Sequence, residues 1–313
     1  MSTAHPPEHA ELPPPKLVEV SAGIFAYVQP DGSWFLNNAG FIAGREGVMA
    51  IDTTGTEKRA HAFHEALRRT TSLPVQTLVN THAHADHTHG NFMFAPETAI
   101  IGHELCREEV KRGSLAAIKA AFPTGDFGEV AYVPPFVTFE ERLNVYVGDL
   151  LVQLIHVGPA HTTNDVIAWI PERKLLFSGD IVFNGGTPFA MAGSVLGWLD
   201  ALPVLRELGA ETIVPGHGEI CGPEVVDEVE AYLRFVDALS RKGFAAGTPP
   251  LELARSTDLG EFAELTDSER IVGNLHRAYT ELGGKPRGAG LSVAQVIAEM
   301  VEYNGGQPLR CLA

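Results

Sequence analysis

The chain has 313 residues, 45% of them hydrophobic, with 32 glycines and 21 prolines, as suits a loop-rich globular enzyme of one large α/β domain or a domain with an appendage. Its 23 basic and 39 acidic side chains leave a formal charge of −16, which argues against nucleic acid as a partner, because phosphate recognition requires a concentrated basic surface. Cys106, Cys221 and Cys311 are an odd, scattered set without C-x-x-C, so reduced thiols in a cytosolic protein are expected rather than a disulfide framework.

Residues 1–16, MSTAHPPEHAELPPPK, carry five prolines and no apolar run. They are expected to form a disordered tail, not a secretion signal, with His5 and His9 as exposed bystanders. No stretch approaches the ~18–20 apolar residues of a membrane span, so no membrane contact and a cytoplasmic location are expected. Residues 17–53 alternate between apolar and polar side chains and are punctuated by turn residues, which predicts a meander of strands. Residues 56–70 have the spacing of an amphipathic helix. The apolar run VQTLV (75–79) then predicts a buried strand that delivers THAHADHTHG (81–90).

That segment places His82, His84, Asp86 and His87 as H-x-H-x-D-H. Alternation lets His82 and His84 converge on one metal ion, while Asp86 and His87 are displaced towards a second. Imidazole nitrogen and carboxylate oxygen are the donors that zinc and related divalent ions accept. Further on, ETAIIGHE and LCREEVKRG predict a strand and a helix, with His103 expected to cap or pack rather than ligate. Residues 131–170 hold four short strand patterns, the third of which leads to His161 in GPAHTTND. Asp180 ends the run KLLFSGD, residues 196–209 are helical, and His217 follows the strand-like ETIV in VPGHG. A single His or Asp after a strand is usually a cap or turn residue; this ordered set predicts loops meeting at one sheet edge.

Asp165 is expected to orient groups behind the metal site or to cap the next strand, and Asn91 and Thr162 have similar structural readings. Ser178 and Ser194 lack a Ser-His-Asp arrangement. After Gly222 three helical patterns follow, at 224–242, 268–282 and 292–303, joined by AAGTPPLELA and GGKPRGAG. Ser292 and Asp267 are expected N-caps there. This segment is expected either to pack over the main domain or to wall a substrate channel.

On these motifs the sequence resembles the metallo-β-lactamase-fold hydrolase superfamily over about residues 15–222. The resemblance implies an α/β fold, an αβ/βα four-layer sandwich over residues 17–222, with a C-terminal helical extension over 223–313. It implies that His82, His84 and His161 hold one zinc ion, with Asp86, His87 and His217 holding another and Asp180 bridging; Mn2+ or Fe2+ are alternatives to Zn2+. Asp in the SGD phrase resembles glyoxalase-II-like hydrolases, whereas true β-lactamases usually have Cys or Ser there.

Two metals a few ångströms apart lower the pKa of a shared water and polarise ester, thioester or amide carbonyls. They could also hold a 1,3-dicarbonyl as its enolate. Asp86 and Asp180 are then ligands and candidate proton carriers, and so the expected catalytic residues.

Two stretches outside the metal motifs, GGTPFAMAGSVLGWLDAL (185–202) and VEYNGGQPLRCLA (301–313), resemble the cyclase–thioesterases of aromatic polyketide pathways. That resemblance implies aldol cyclisation of a poly-β-ketone on an acyl carrier protein, followed by thioester hydrolysis. Phe183, Pro188, Phe189, Met191, Val195 and Trp198 are expected either to line the substrate pocket or to pack in the core. A carrier protein is normally acidic, so this acidic chain needs a local basic patch, for which Arg107, Lys111 and Arg112, or Arg241 and Lys242, are candidates. A generic dizinc hydrolase of thioesters, lactones or esters retains every ligand and differs only in the pocket. A redox or sensor module of the flavodiiron kind normally carries a flavodoxin-like segment, which the sequence lacks.

Overall fold

In the computed structural model, which describes residues 12–313, the alternating segments pair into two sheets. The first is a seven-stranded sheet in sequence order, β1 (Lys16–Ser21), β2 (Ile24–Val28), β3 (Ala39–Ala43), β4 (Val48–Ile51), β5 (Val75–Val79), β6 (Ala99–His103) and β7 (Val137–Phe139). Its first four strands pair antiparallel and the rest parallel. The five-stranded second sheet has the order β12 (Thr212–His217), β11 (Leu175–Phe183), β10 (Val166–Ile170), β9 (Leu150–His156) and β8 (Arg142–Val147). Only β11 and β12 run parallel within it.

The sheets face each other through Ile42, Met49, Ile51 and Val79 on one side and Val152, Leu154, Ala168 and Phe177 on the other. Helix α1 (Glu57–Thr70) is capped by Thr56, whose hydroxyl accepts from Arg59 N, and it buries Phe63 and Leu67 against Phe41 and Leu78 on the outer face of the first sheet. Each such burial contributes ~1.5–3 kcal/mol. The single turn α2 (Ala85–Thr88) follows β5, and α3 (Glu104–Lys111) and α4 (Leu115–Ala121) separate β6 from β7. Helices α5 (Val195–Leu208) and α6 (Val225–Ala246) cover the second sheet with Trp198, Leu202, Leu205, Tyr232 and Leu233. Helices outside two facing sheets make the four layers, and the fold is the expected αβ/βα sandwich.

Beyond α6 the chain forms α7 (Pro250–Ser256), α8 (Arg270–Leu282) and α9 (Val293–Tyr303). The stretch read as a linker therefore contains a helix: Pro250 occupies the first turn, where its missing N–H leaves no bond unmade. Residues 115–121, unassigned from the sequence, form α4. Ser292 stands at the N-cap of α9 without a side-chain capping bond, and Asp267 pairs with the Arg270 guanidinium at 2.8 Å instead of capping. The expected tail falls on undescribed residues up to 11, including His5 and His9, while Lys16 already belongs to β1. Among the described residues no helix is long and apolar enough to cross a membrane.

The C-terminal helices share an apolar cluster with Phe35, Phe122, Phe127 and Phe189, and the chain's last residues enter it through Leu309 and Cys311. Leu309 is 0% exposed, so Leu309→Ala is expected to lower stability by ~2–5 kcal/mol in urea unfolding, by lost transfer energy plus the cavity left behind. The neighbouring Arg310→Ala, on a side chain 48% exposed, should change it by less than ~0.5 kcal/mol.

Candidate metal centre

Strand β5 is buried at its end, and the chain leaves it extended, so His82 and His84 emerge on one side before the turn of α2 presents Asp86 and His87. His161 stands on the loop after β9, and His217 is the last residue of β12. Asp180 lies within β11, which continues to Phe183, so it does not end the strand as the sequence suggested. What turns it into the site is an irregularity: the register of β11 with β12 shifts on both sides of Gly179. Gly179 has φ +49°, and a Cβ there would lie 2.7 Å from the Thr81 side chain, so both backbone and space require glycine.

These positions converge. His84 Nδ1 is 3.1 Å from His82 Nε2 and 2.8 Å from His161 Nε2. Asp180 Oδ2 is 3.2 Å from His161 Nε2 and 3.5 Å from His217 Nε2, while its Oδ1 is 3.0 Å from His87 Nε2. Asp86 Oδ2 is 3.2 Å from His217 Nε2 and 3.8 Å from His87 Nε2. One set of donors is therefore His82, His84, His161 and Asp180, the other is Asp86, His87 and His217, and within each the atoms lie within 4.8 Å of one another. Nitrogens ~2.0–2.1 Å from a tetrahedral zinc would stand ~3.3–3.4 Å apart, which is the scale of these separations.

The opposite side of each ring shows which nitrogen is free. His161 Nδ1 is 2.5 Å from the Phe189 carbonyl and His217 Nδ1 is 3.0 Å from the Gly32 carbonyl, so both carry their hydrogen there. Thr81 Oγ1 donates to Asp52 Oδ2 at 2.6 Å and so accepts from His82 Nδ1. His87 Nδ1 donates to Asp52 Oδ2 at 2.9 Å. In their neutral forms all four imidazoles turn a bare Nε2 inward, against two carboxylates, where side chains other than Asp86 and His84 are almost wholly shielded from water. His87 Nε2 and Asp180 Oδ1 make no aligned hydrogen bond despite their proximity.

Burial lowers the His161 pKa to about 3 and opposes protonation of His217, yet Asp180 and Asp86 raise His217 to about 9. Burial likewise opposes a charge on His87, and Asp180, Asp52 and Asp86 nonetheless raise it well above the ordinary value. A buried group of bare nitrogens and carboxylates demands positive charge, and divalent ions on these donors fit that demand.

Asp52, which the sequence places only in the meander, also belongs to the site. It accepts from Thr81 N and Oγ1 and from His87 Nδ1, so one carboxylate orients ligands of both sets. Its φ of +57° costs ~1–2 kcal/mol in a residue with a Cβ, and these three bonds offset that. The signal in the sequence was a lone Asp after the apolar VMAI, on a strand that pairs beside β5.

Asp165 holds the His161 loop, accepting from Ala160 N, Thr162 N and Thr162 Oγ1. Asn164 ties that loop to the first motif by accepting from Ala83 N. Asn91 bonds Asn80 and the Val133 carbonyl, and His103 caps α3 and stacks on His156 at 4.0 Å, away from the site. Ser178 Oγ donates to a backbone carbonyl and Ser194 caps α5, so neither serves as a nucleophile.

Phe183 stacks on His217 at 5.2 Å and Trp198 meets His161 edge-on at 5.6 Å; with Val195 they back the ligands as core. Phe189 packs instead against Trp34, in the C-terminal cluster that also takes Met191. Of the basic candidates, Arg107 donates to the Pro135 carbonyl, Lys111 pairs with Glu108 and Arg241 with Asp237.

Asp52→Asn is expected to weaken zinc binding ~10–100-fold in a chelator competition, because the variant loses the acceptor for His87 and Thr81 together. His103→Ala should leave that affinity unchanged.

The comparisons with known proteins agree with this geometry. The model of the Metallo-beta-lactamase superfamily matches residues 32–217. The 2,4-dinitroanisole O-demethylase subunit alpha of Nocardioides sp. (strain JS1661) is 31% identical over 182 residues, 56% of this chain and 51% of that protein. An acyl-coenzyme A thioesterase of Bos taurus is 26% identical over 163 residues, 47% of this chain and 57% of that one. This chain thus spans about half the length of these relatives. The solved metallo-beta-lactamase of Pontibacter korlensis superposes with a TM-score of 0.57 at 19% identity, covering 70% of this chain and 99% of that chain, a likeness of fold. With the family model spanning more than half of it, the chain belongs to the Metallo-beta-lactamase superfamily.

Proposed function

We propose that this protein is a dinuclear-metal cyclase–thioesterase, closing a ring by aldol reaction in a poly-β-ketone held as a thioester on an acyl carrier protein and then hydrolysing that thioester. The observation that carries a metal-dependent reaction at carbonyl groups is the convergence of seven ligand-type side chains with their bare nitrogens and carboxylate oxygens turned inward. When bound, two divalent ions, taken to be zinc, would acidify water at neutral pH and polarise carbonyl oxygens. Both reactions build negative charge on a carbonyl oxygen, so one electropositive site serves both.

The chain's own groups divide the remaining work. Asp86 is 14% exposed where Asp180 is 4%, so Asp86 stands at the open side and can take or return a proton at Oδ2. The buried Asp180 sets its two oxygens 3.0–3.5 Å from Nε2 of His87, His161 and His217, where they would hold the ions together with those rings. The cyclase part rests on the polyketide-cyclase resemblance of residues 185–202 and 301–313. Both stretches lie close to the site's surroundings: Phe189 holds His161 through its carbonyl, and Leu309 packs in the cluster that contains Phe35 and Ala85.

A plain thioester hydrolase is the second reading, favoured by the acyl-coenzyme A thioesterase among the relatives. The two separate on a carrier-bound poly-β-ketone with products analysed by mass and NMR. The cyclase reading expects a released cyclised acid, and chelation should abolish ring closure and release together; released linear acid alone would leave the hydrolase. In either case Asp86→Ala should lower thioester hydrolysis at least ~100-fold and lose metal from the second position, measured by kinetics and elemental analysis. Retention of both metals with near-normal turnover would overturn the role given to Asp86.

A further inference from the structure

A buried arginine at the start of α8 reaches the His217 side of the site. The Arg270 guanidinium lies 4.0 Å from the centre of the Trp34 ring and 5.3 Å from that of Phe183. Phe183 in turn lies parallel to His217, at 9° and 5.2 Å. Arg270 donates to the Thr187 carbonyl at 3.0 Å and to Asp267 Oδ2 at 2.8 Å, and it is 1% exposed. A charge this deep is tolerated only where partners replace water on every side. Here two aromatic faces, a carboxylate and a carbonyl surround the guanidinium, and only its buried Nε is left without a hydrogen-bond partner.

A second route leads from the same arginine to the same ligand. Trp34, under the guanidinium, donates Nε1–H to Glu269, the residue before Arg270, at 2.8 Å. It belongs to the turn in which the Gly32 carbonyl accepts from His217 Nδ1 at 3.0 Å. Gly32 has φ +73°, and a Cβ there would stand 2.8 Å from Gly218 N, so this turn lies directly on the chain leaving His217. The segment before α8 is also paired to the loop after β11, through Thr266 N donating to Gly185 O and Thr187 N donating to Thr266 O, both at 3.0 Å.

We propose that Arg270 is a positioning residue for the second metal position, holding the plane of the His217 ring through Phe183 and its Nδ1–H acceptor through the Trp34 turn. Occupancy of that position then depends on the C-terminal segment, although Arg270 touches neither metal ligand nor substrate. The proposal rests on the reading that His217 holds an ion, so His217→Ala is the reference variant.

The test titrates metal-free full-length protein with Zn2+ against a chromophoric chelator, with Co2+ spectra to follow each position and thermal unfolding to follow the fold. Arg270→Met should weaken the second ion at least ~10-fold while the first stays within about twofold of wild type. Phe183→Leu, which keeps the arginine but removes the ring, should weaken the second ion more than the first, although Phe183 also lies 5.7 Å from the His161 ring, and that order decides if Arg270→Met does not accumulate as folded protein. Retention of both ions at wild-type affinity, with His217→Ala losing the second, would overturn the proposal and leave the metal reading standing. Parallel weakening of both ions with a fall in Tm would also overturn it, as the mark of general destabilisation. If His217→Ala itself keeps both ions, the assignment of His217 fails and the proposal with it.

Discussion

Five imidazole nitrogens and two carboxylates face one another inside a space that water scarcely enters, and much of the structure serves to keep them there. Left alone, such groups repel one another or take up protons, as the raised pKa values of His87 and His217 show. Holding them in register requires each ring to be fixed from behind. The molecule does this with acceptors that settle the tautomer: the carbonyls of Phe189 and Gly32, the Thr81 hydroxyl and the Asp52 carboxylate.

The sandwich explains why these acceptors are available at one place. Strands β4 and β5 run parallel as neighbours, so Asp52 and His82 leave the first sheet side by side. In the second sheet β11 and β12 also run parallel, which brings Asp180, from within β11, near His217 at the end of β12. The core between the sheets, from Met49 to Phe177, fixes their separation, and the His161 loop is closed across the gap by Asp165 and Asn164. Rigid strands thus carry the loops whose chemistry must be held to a fraction of an ångström.

The helices beyond residue 222 are packed into this arrangement rather than laid over it. Arg270, Asp267 and Thr266 engage the loop after β11, and α8, α9 and the last residues share an apolar cluster with Phe35 and Phe122. Phe183 stacks on the His217 ring and Trp198 meets the His161 ring edge-on, so side chains that resemble pocket walls in the sequence are the solid backing of the candidate metal centre.

The sequence alone made the strands, the long helices and the ligand-type residues legible, because apolar periodicity and the H-x-H-x-D-H spacing are local properties of the chain. It also gave the order of the later residues, His161, Asp180 and His217, each near the end of an apolar run. Tertiary structure alone decided what stands behind them. Asp52 precedes the motif by thirty positions and meets it only because two strands pair in parallel, and Arg270 meets His217 only through two aromatic rings from distant segments. It also decided that Asp180 turns inward from the middle of a strand, since a register shift belongs to the pair of strands and not to either sequence. Hydrogen-bond acceptors such as the Gly32 and Phe189 carbonyls carry no side-chain signature at all, so their roles become visible only when the backbone is folded around the rings they hold.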